Sequence, residues 1–143
     1  MRLNLTRVDR ELPLPAYATA GSVAFDVYAR TETTVAPKTV ALIPTNLIVQ
    51  VPEGYAFLLC SRSSTPVKKG LLTPHGFGIV DQDFCGPNDE LRAQVYNFTD
   101  APITVARGER IAQALLVPIA KCDLQETEVA TAASRGGFGS TGR

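Results

Sequence analysis

Apolar and polar positions alternate along this chain in short runs, broken repeatedly by proline and glycine. That is the period of half-buried β-strands. Residues 1–8 set Leu3, Leu5 and Val8 among polar neighbours and predict an edge strand. Pro13 and Pro15 block a helix and make residues 11–17 an extended connection. Residues 18–29 predict a strand with Val23, Phe25 and Val27 on one face and Ala24, Asp26 and Tyr28 on the other. Residues 31–38, polar around Pro37, predict a turn. Residues 40–43 and 47–51 predict two short strands split by Pro44-Thr45-Asn46. The nearly unbroken apolar run 55–60 predicts a central strand.

In 61–70, Thr65 as N-cap, Pro66 at the first helical position and Gly70 as stop predict one short helix. Ile79-Val80 fits a buried strand end. Residues 91–98 set Leu91, Ala93 and Val95 against Arg92, Gln94 and Tyr96, and 103–106 reads as a further strand. Residues 110–119 are apolar except for Arg110 and Gln113. Period alone does not separate strand from helix there, but the β-rich flanks and Pro118 favour a strand. Its two long polar side chains need partners if they are buried.

Composition narrows this picture. A chain of 143 residues with 45% hydrophobic and 20% charged residues is one domain able to bury its own core. Ten prolines and eleven glycines suit many short strands rather than a helix bundle, so the fold class is all-β with one short helix. Basic and acidic residues balance at 14 each, which argues against a general nucleic-acid or membrane binder. No apolar run approaches the ~20 residues that span a bilayer. Cys60, Cys85 and Cys122 are odd in number and widely spaced, and no secretory signal opens the sequence. Reduced thiols in a cytoplasmic protein are the expectation. With His75 the only histidine and no paired cysteines, a His/Cys zinc site is not expected.

The candidate chemistry centres on His75 to Gly86. Gly76 and Gly78 allow a tight hairpin or a close approach of backbone to a ligand. Asp81 and Phe84 follow, a carboxylate and a ring three residues apart. Such a set forms either a small-molecule site or an ordinary hairpin with its acids in water. Asp26 is a lone carboxylate in an apolar strand, either facing solvent at an edge or buried beside an arginine. Ser61-Arg62-Ser63-Ser64 before a helix start suits an anion, and equally suits plain capping. The end, Arg135-Gly136-Gly137-Phe138-Gly139-Ser140-Thr141-Gly142-Arg143, reads as a flexible tail or as a wrap around an anionic ligand.

Five segments occur in order: Ala24-Phe25-Asp26-Val27-Tyr28, Ser61-Arg62-Ser63-Ser64, Gly78 to Gly86, Gly108-Glu109-Arg110-Ile111-Ala112-Gln113, and Gly136 to Gly142. Together they resemble the five-motif signature of the trimeric dUTP diphosphatases (dUTPases), over nearly the whole chain. The resemblance implies a β-barrel or jelly-roll domain at 1–121 and a flexible glycine-rich C-terminal arm at 122–143 that closes over a neighbouring subunit's site. It implies a homotrimer with shared active sites and hydrolysis of dUTP to dUMP and diphosphate with Mg²⁺, bound through phosphates and waters. By the same resemblance Asp81 activates the water that attacks the α-phosphorus, and Phe84 packs on the deoxyribose. The backbone around His75, Gly76 and Gly78 reads the uracil edge. Arg62, Ser63, Ser64 and Gln113 hold phosphates, with Asp26 and Arg110 in support. Phe138 closes over the base, with Gly139, Ser140 and Thr141 on the phosphates.

The chain departs from the family pattern in four places. Phe84 stands for the usual tyrosine, and Ala24 for a glycine. Pro87-Asn88-Asp89 is an insertion. Ala133 occupies the usual place of the arginine upstream of the closing phenylalanine, leaving Arg135 or Arg143 to meet the γ-phosphate. The alternatives are a dCTP deaminase of the same fold and a catalytically inactive dUTPase-like regulatory protein. A deaminase needs a glutamate where this chain has Gln94, and an amide shuttles no proton.

Overall fold

The computed structural model describes residues 1–136. Among them the elements run β1 (Asn4–Arg7), β2 (Phe25–Tyr28), β3 (Thr33–Val35), β4 (Val40–Pro44), β5 (Leu47–Gln50) and β6 (Tyr55–Cys60). Then come α1 (Thr65–Lys69), β7 (Leu71–Leu72), β8 (Phe77–Val80), β9 (Arg92–Asn97), β10 (Ile103–Val105) and β11 (Arg110–Pro118). The main sheet has the order β2-β11-β6-β8, a second has the order β4-β9-β7, and β1-β5 and β3-β10 form two-stranded pairs. Every pairing is antiparallel, and partners such as β2 and β11 lie far apart in sequence. Strands that cross between sheets in this way wrap an all-β barrel of the jelly-roll kind.

The period-2 pattern places the core. Ala93 and Val95 of β9 point inward, Phe57 of β6 is fully buried, and Ile43, Leu47, Leu71 and Ile111 close around it. Each large aliphatic or aromatic side chain buried here contributes roughly 1.5–3 kcal/mol. The run 110–119 is a strand, and it sits between β2 and β6 with Gln113 opposite both Asp26 and Cys60.

Four local expectations are corrected. β2 begins at Phe25, leaving Val23 78% exposed, because only Phe25 and Val27 reach the core. The turn expected over 31–38 contains β3, whose Thr33, Thr34 and Val35 pair with β10; β-branched side chains suit such a ladder. Ile79 is 65% exposed while Val80 turns inward, since successive residues of a strand face opposite ways. The helix is capped by Ser64 rather than Thr65, without a side-chain hydrogen bond, and ends on Gly70 in the left-handed region as expected.

Residues 119–136 are exposed and form no strand or helix. Phe138, Gly139, Ser140, Thr141 and Arg143 lie outside the described residues.

Candidate active site

Strand β8 is the outermost strand of the main sheet and pairs only with β6. Among the described residues its other edge has no strand partner, so backbone groups beyond Phe77 are left able to pair with a ligand. The turn into it is made at Gly76, whose φ of +82° is a conformation that favours glycine. Its N–H donates to the Thr73 carbonyl at 3.1 Å. The His75 ring folds back so that Nδ1 lies 2.8 Å from the Phe77 carbonyl, which requires a proton on that nitrogen. Beyond the strand, Gln82 donates to the carbonyls of Pro52 at 3.2 Å and Tyr55 at 3.1 Å. That anchor pins the segment between Asp81 and Phe84 to the barrel.

The result is a cleft of about 410 Å³. Gly78, Val80, Asp81 and Phe84 line it together with Asn88 to Arg92. Asp81 is exposed, and Phe84 presents 42% of its surface. A smaller recess shares Leu59, Gly78 and Arg92 with this cleft and adds His75 and Gln94. A flat ring, a puckered ring and a hydrolysable bond could lie in sequence along it, from backbone edge to Phe84 to carboxylate.

A second group forms where β2, β11 and the segment before α1 meet. Asp26 resolves in favour of a paired carboxylate: Arg62 Nε donates to its Oδ1 at 2.7 Å, and Arg110 Nη1 donates to its Oδ2 at 3.2 Å. Using Nε in this way leaves both terminal nitrogens of Arg62 for another anion. Gln113 donates to the Ser61 carbonyl at 2.9 Å, which leaves its second N–H. Ser64, Lys68 and Lys69 line the same small pocket with Arg62 and Arg110. Lys69 is neutralised by Glu109, whereas Lys68 is exposed. Lys68 and Lys69 line this pocket although the motifs do not include them. The available signal was a lysine pair one turn beyond Arg-Ser-Ser.

Within one chain the two groups do not meet. Register sets Phe57 opposite Val80, so Asp81 lies past one end of the β6–β8 pairing and Arg62 lies past the other. Six residues of strand separate those levels, on the order of 20 Å. The two pockets share no lining residue. Arg135 is exposed and belongs to neither lining. Ser63 is exposed beside Arg62.

A dUTPase family profile matches residues 10–142. The deoxyuridine 5'-triphosphate nucleotidohydrolase of Rhizobium rhizogenes is 39% identical over 148 residues, covering 98% of this chain and 93% of that protein. The chain belongs to the dUTPase family. Another such relative, from Dictyoglomus turgidum, is 35% identical and covers 99% of both chains. Among solved structures, a dUTPase from Streptococcus mutans superposes with a TM-score of 0.77 at 30% identity, covering 85% of this chain and 98% of that one. A mutant dUTPase of Staphylococcus bacteriophage 80alpha, solved with dUpNHpp, gives a TM-score of 0.84 at 25% identity over 99% of both chains. The Asp81–Phe84 cleft and the Arg62–Arg110 group are therefore features of a dUTPase-family chain.

Proposed function

We propose that this chain hydrolyses dUTP to dUMP and diphosphate in a homotrimer whose active sites are shared between chains. The observation that carries this reading is the placement of Asp81 and Phe84 on one cleft, behind a hairpin with a free backbone edge, in a member of the dUTPase family. The relatives named as deoxyuridine triphosphate nucleotidohydrolases support the substrate.

In this mechanism the uracil pairs with the exposed edge of β8, near His75, Gly76 and Gly78. Phe84 lies against the deoxyribose, where its ring leaves no room for a 2′-hydroxyl. Asp81 accepts a proton from a water as its oxygen bonds to the α-phosphorus and the bond to the bridging oxygen of the diphosphate breaks. Proton transfer to a placed carboxylate is worth about 10²–10⁴ in rate. A neighbouring chain supplies Arg62, Ser63, Ser64 and Gln113 to the phosphates. Asp26 holds Arg62 and Arg110 in place, so little reorganisation is needed as charge shifts. The arm from residue 122 onward, with Arg135, Phe138, Gly139, Ser140 and Thr141, closes over the nucleotide and excludes water.

Mg²⁺ would be held through the substrate's phosphates. Mg²⁺ takes hard oxygen ligands and keeps several waters. Asp81 and Asp83 are exposed carboxylates of that donor class at the hairpin, so they fit an ion reached through water. The ion neutralises phosphate charge when bound. A cytoplasmic setting, with the three free thiols reduced, belongs to the same reading. No helix among the described residues is long and apolar enough to cross a membrane.

The test is to incubate purified protein and Mg²⁺ with dUTP, dCTP and UTP, following diphosphate and ammonia separately. The expected result is diphosphate from dUTP, little from UTP, and no ammonia from dCTP. Ammonia without diphosphate would make the chain a deaminase, and neither product would make it a binding protein.

A further inference from the structure

Residues 81–84 make one turn, and a single side chain holds it. The Phe84 N–H donates to the Asp81 carbonyl at 3.4 Å, so Asp81 and Phe84 are the first and fourth residues of that turn. Such a turn sets its two ends within about 7 Å of each other. The spacing of carboxylate and ring along the cleft is therefore the spacing of the turn's ends. A closing bond of 3.4 Å is long and does not fix that spacing by itself. Asp81, Asp83, Phe84 and Cys85 are exposed, and of residues 81–85 only Gln82 is half-buried.

Every polar group of the Gln82 side chain is engaged. Nε2 donates to the Pro52 carbonyl at 3.2 Å and to the Tyr55 carbonyl at 3.1 Å, the two ends of the turn that leads into β6. Oε1 accepts from Lys121 Nζ at 3.2 Å. The Gln82 backbone carbonyl accepts from Cys85 Sγ at 3.7 Å. Lys121 stands at the root of the exposed C-terminal segment, two residues after Ile119, whose N–H donates to the Gly54 carbonyl at 2.9 Å. One carboxamide thus joins three pieces of chain: the entry to β6, the turn that carries Asp81, and the root of the C-terminal segment. An amide with both its donors and its acceptor in use holds one orientation. Gln82 does not line the Asp81–Phe84 cleft; it lines the recess behind the hairpin with Asp81, Asp83 and Lys121.

We propose that Gln82 is a positioning residue for Asp81, and that Lys121 ties the root of the C-terminal segment to the same turn through it. Gln82 acts on the reaction only through the turn, by holding the carboxylate where the attacking water needs it. Misplacing such a group by about 1 Å costs about 100-fold in rate. The Lys121 bond makes the aim of Asp81 depend on where the C-terminal segment leaves the barrel. This rests on the dUTP reading above and adds to it the residue that aims the acid.

The experiment measures diphosphate release from dUTP, with circular dichroism on each variant. Gln82→Met keeps the length of the side chain and removes all three of its hydrogen bonds. It should lower kcat about 10- to 100-fold. Its KM should stay within about twofold of wild type, because an effect confined to the reacting group leaves substrate binding alone. Lys121→Met should lower kcat about threefold, as for two coupled side chains in contact. The double variant should be no slower than Gln82→Met, since Lys121 acts through Gln82. Losses that multiply in the double variant, or a Lys121→Met enzyme with wild-type kcat, overturn the link to the C-terminal segment. A folded Gln82→Met enzyme with wild-type kcat overturns the positioning role, as does one whose loss lies in KM alone. An unfolded Gln82→Met chain makes the residue part of the fold and overturns that role too. Each of these leaves the dUTP reading standing, whereas a wild type inert toward dUTP overturns both.

Discussion

At the scale of single residues, the decisive contrast is between a carboxylate left exposed and carboxylates that are tied down. Asp81 faces the cleft with its oxygens toward solvent, whereas Asp26 is spent on two arginines and Glu90 on Arg30 and Asn46. Asp81→Asn should therefore lower kcat on dUTP about 1,000-fold, within the range for a lost general base. Binding of dUpNHpp, measured by calorimetry, should persist; near-normal turnover would remove Asp81 from the mechanism. Glu90 gives a prediction in pH. Burial disfavours its charge, but the bonds from Arg30 and Asn46 outweigh that and hold its carboxyl below the ordinary glutamate range. A lowered folded pKa means stability that is present above the unfolded value, about 4.3, and is lost as pH falls through the folded one. Glu90→Gln should flatten that acid limb and cost about 2 kcal/mol at neutral pH by urea unfolding. An acid limb as steep as wild type would show that Glu90 is not the group being protonated. Asp81 and Asp26 could be picked out from their motifs, whereas Glu90 and Arg30 lie outside them. Whether Asp26 faced water or an arginine could not, because its two partners come from segments 36 and 84 positions away.

At the scale of elements, most of the barrel was legible because each strand carries its own period-2 stripe. The strand β11 was assigned from its flanks, and its central place gives Gln113 a partner on each side. The short strand β3 was missed because three residues are too few to show a period, and only the facing β10 makes them a strand. Likewise Ile79 reads as core beside Val80 until the sheet order shows β8 at the edge. The helix boundary was set by Gly70, whose φ is +69° and whose N–H donates to the Pro66 carbonyl at 3.0 Å. A methyl added there would also run into the Thr99 side chain. Gly70→Ala should cost about 1–3 kcal/mol, from strain and overpacking together. A thermal midpoint equal to wild type would show that the helix end relaxes freely.

At the scale of the whole molecule, the barrel holds its two functional groups apart rather than together. The main sheet carries Asp81 off one end of β6 and Arg62 off the other, so no rotamer change joins them. Under the proposed function, an oligomer that turns one chain's Arg62–Ser64 segment toward its neighbour's cleft would complete the site. Mixing Asp81→Asn chains with Arg62→Ala chains, each inactive alone, should restore about a quarter of wild-type activity if subunits exchange at random. No recovery after verified exchange would place the whole site within one chain.

The distance along β6 has a consequence for how such an enzyme behaves in dilute solution. If the site is shared as proposed, a separated subunit would have no Arg62–Ser64 segment within reach of its own Asp81. Turnover per chain should then fall with total protein concentration below a threshold set by the association constant, while circular dichroism stays that of a folded protein. Assembly would act as the switch for catalysis, and the cell's copy number as its dial.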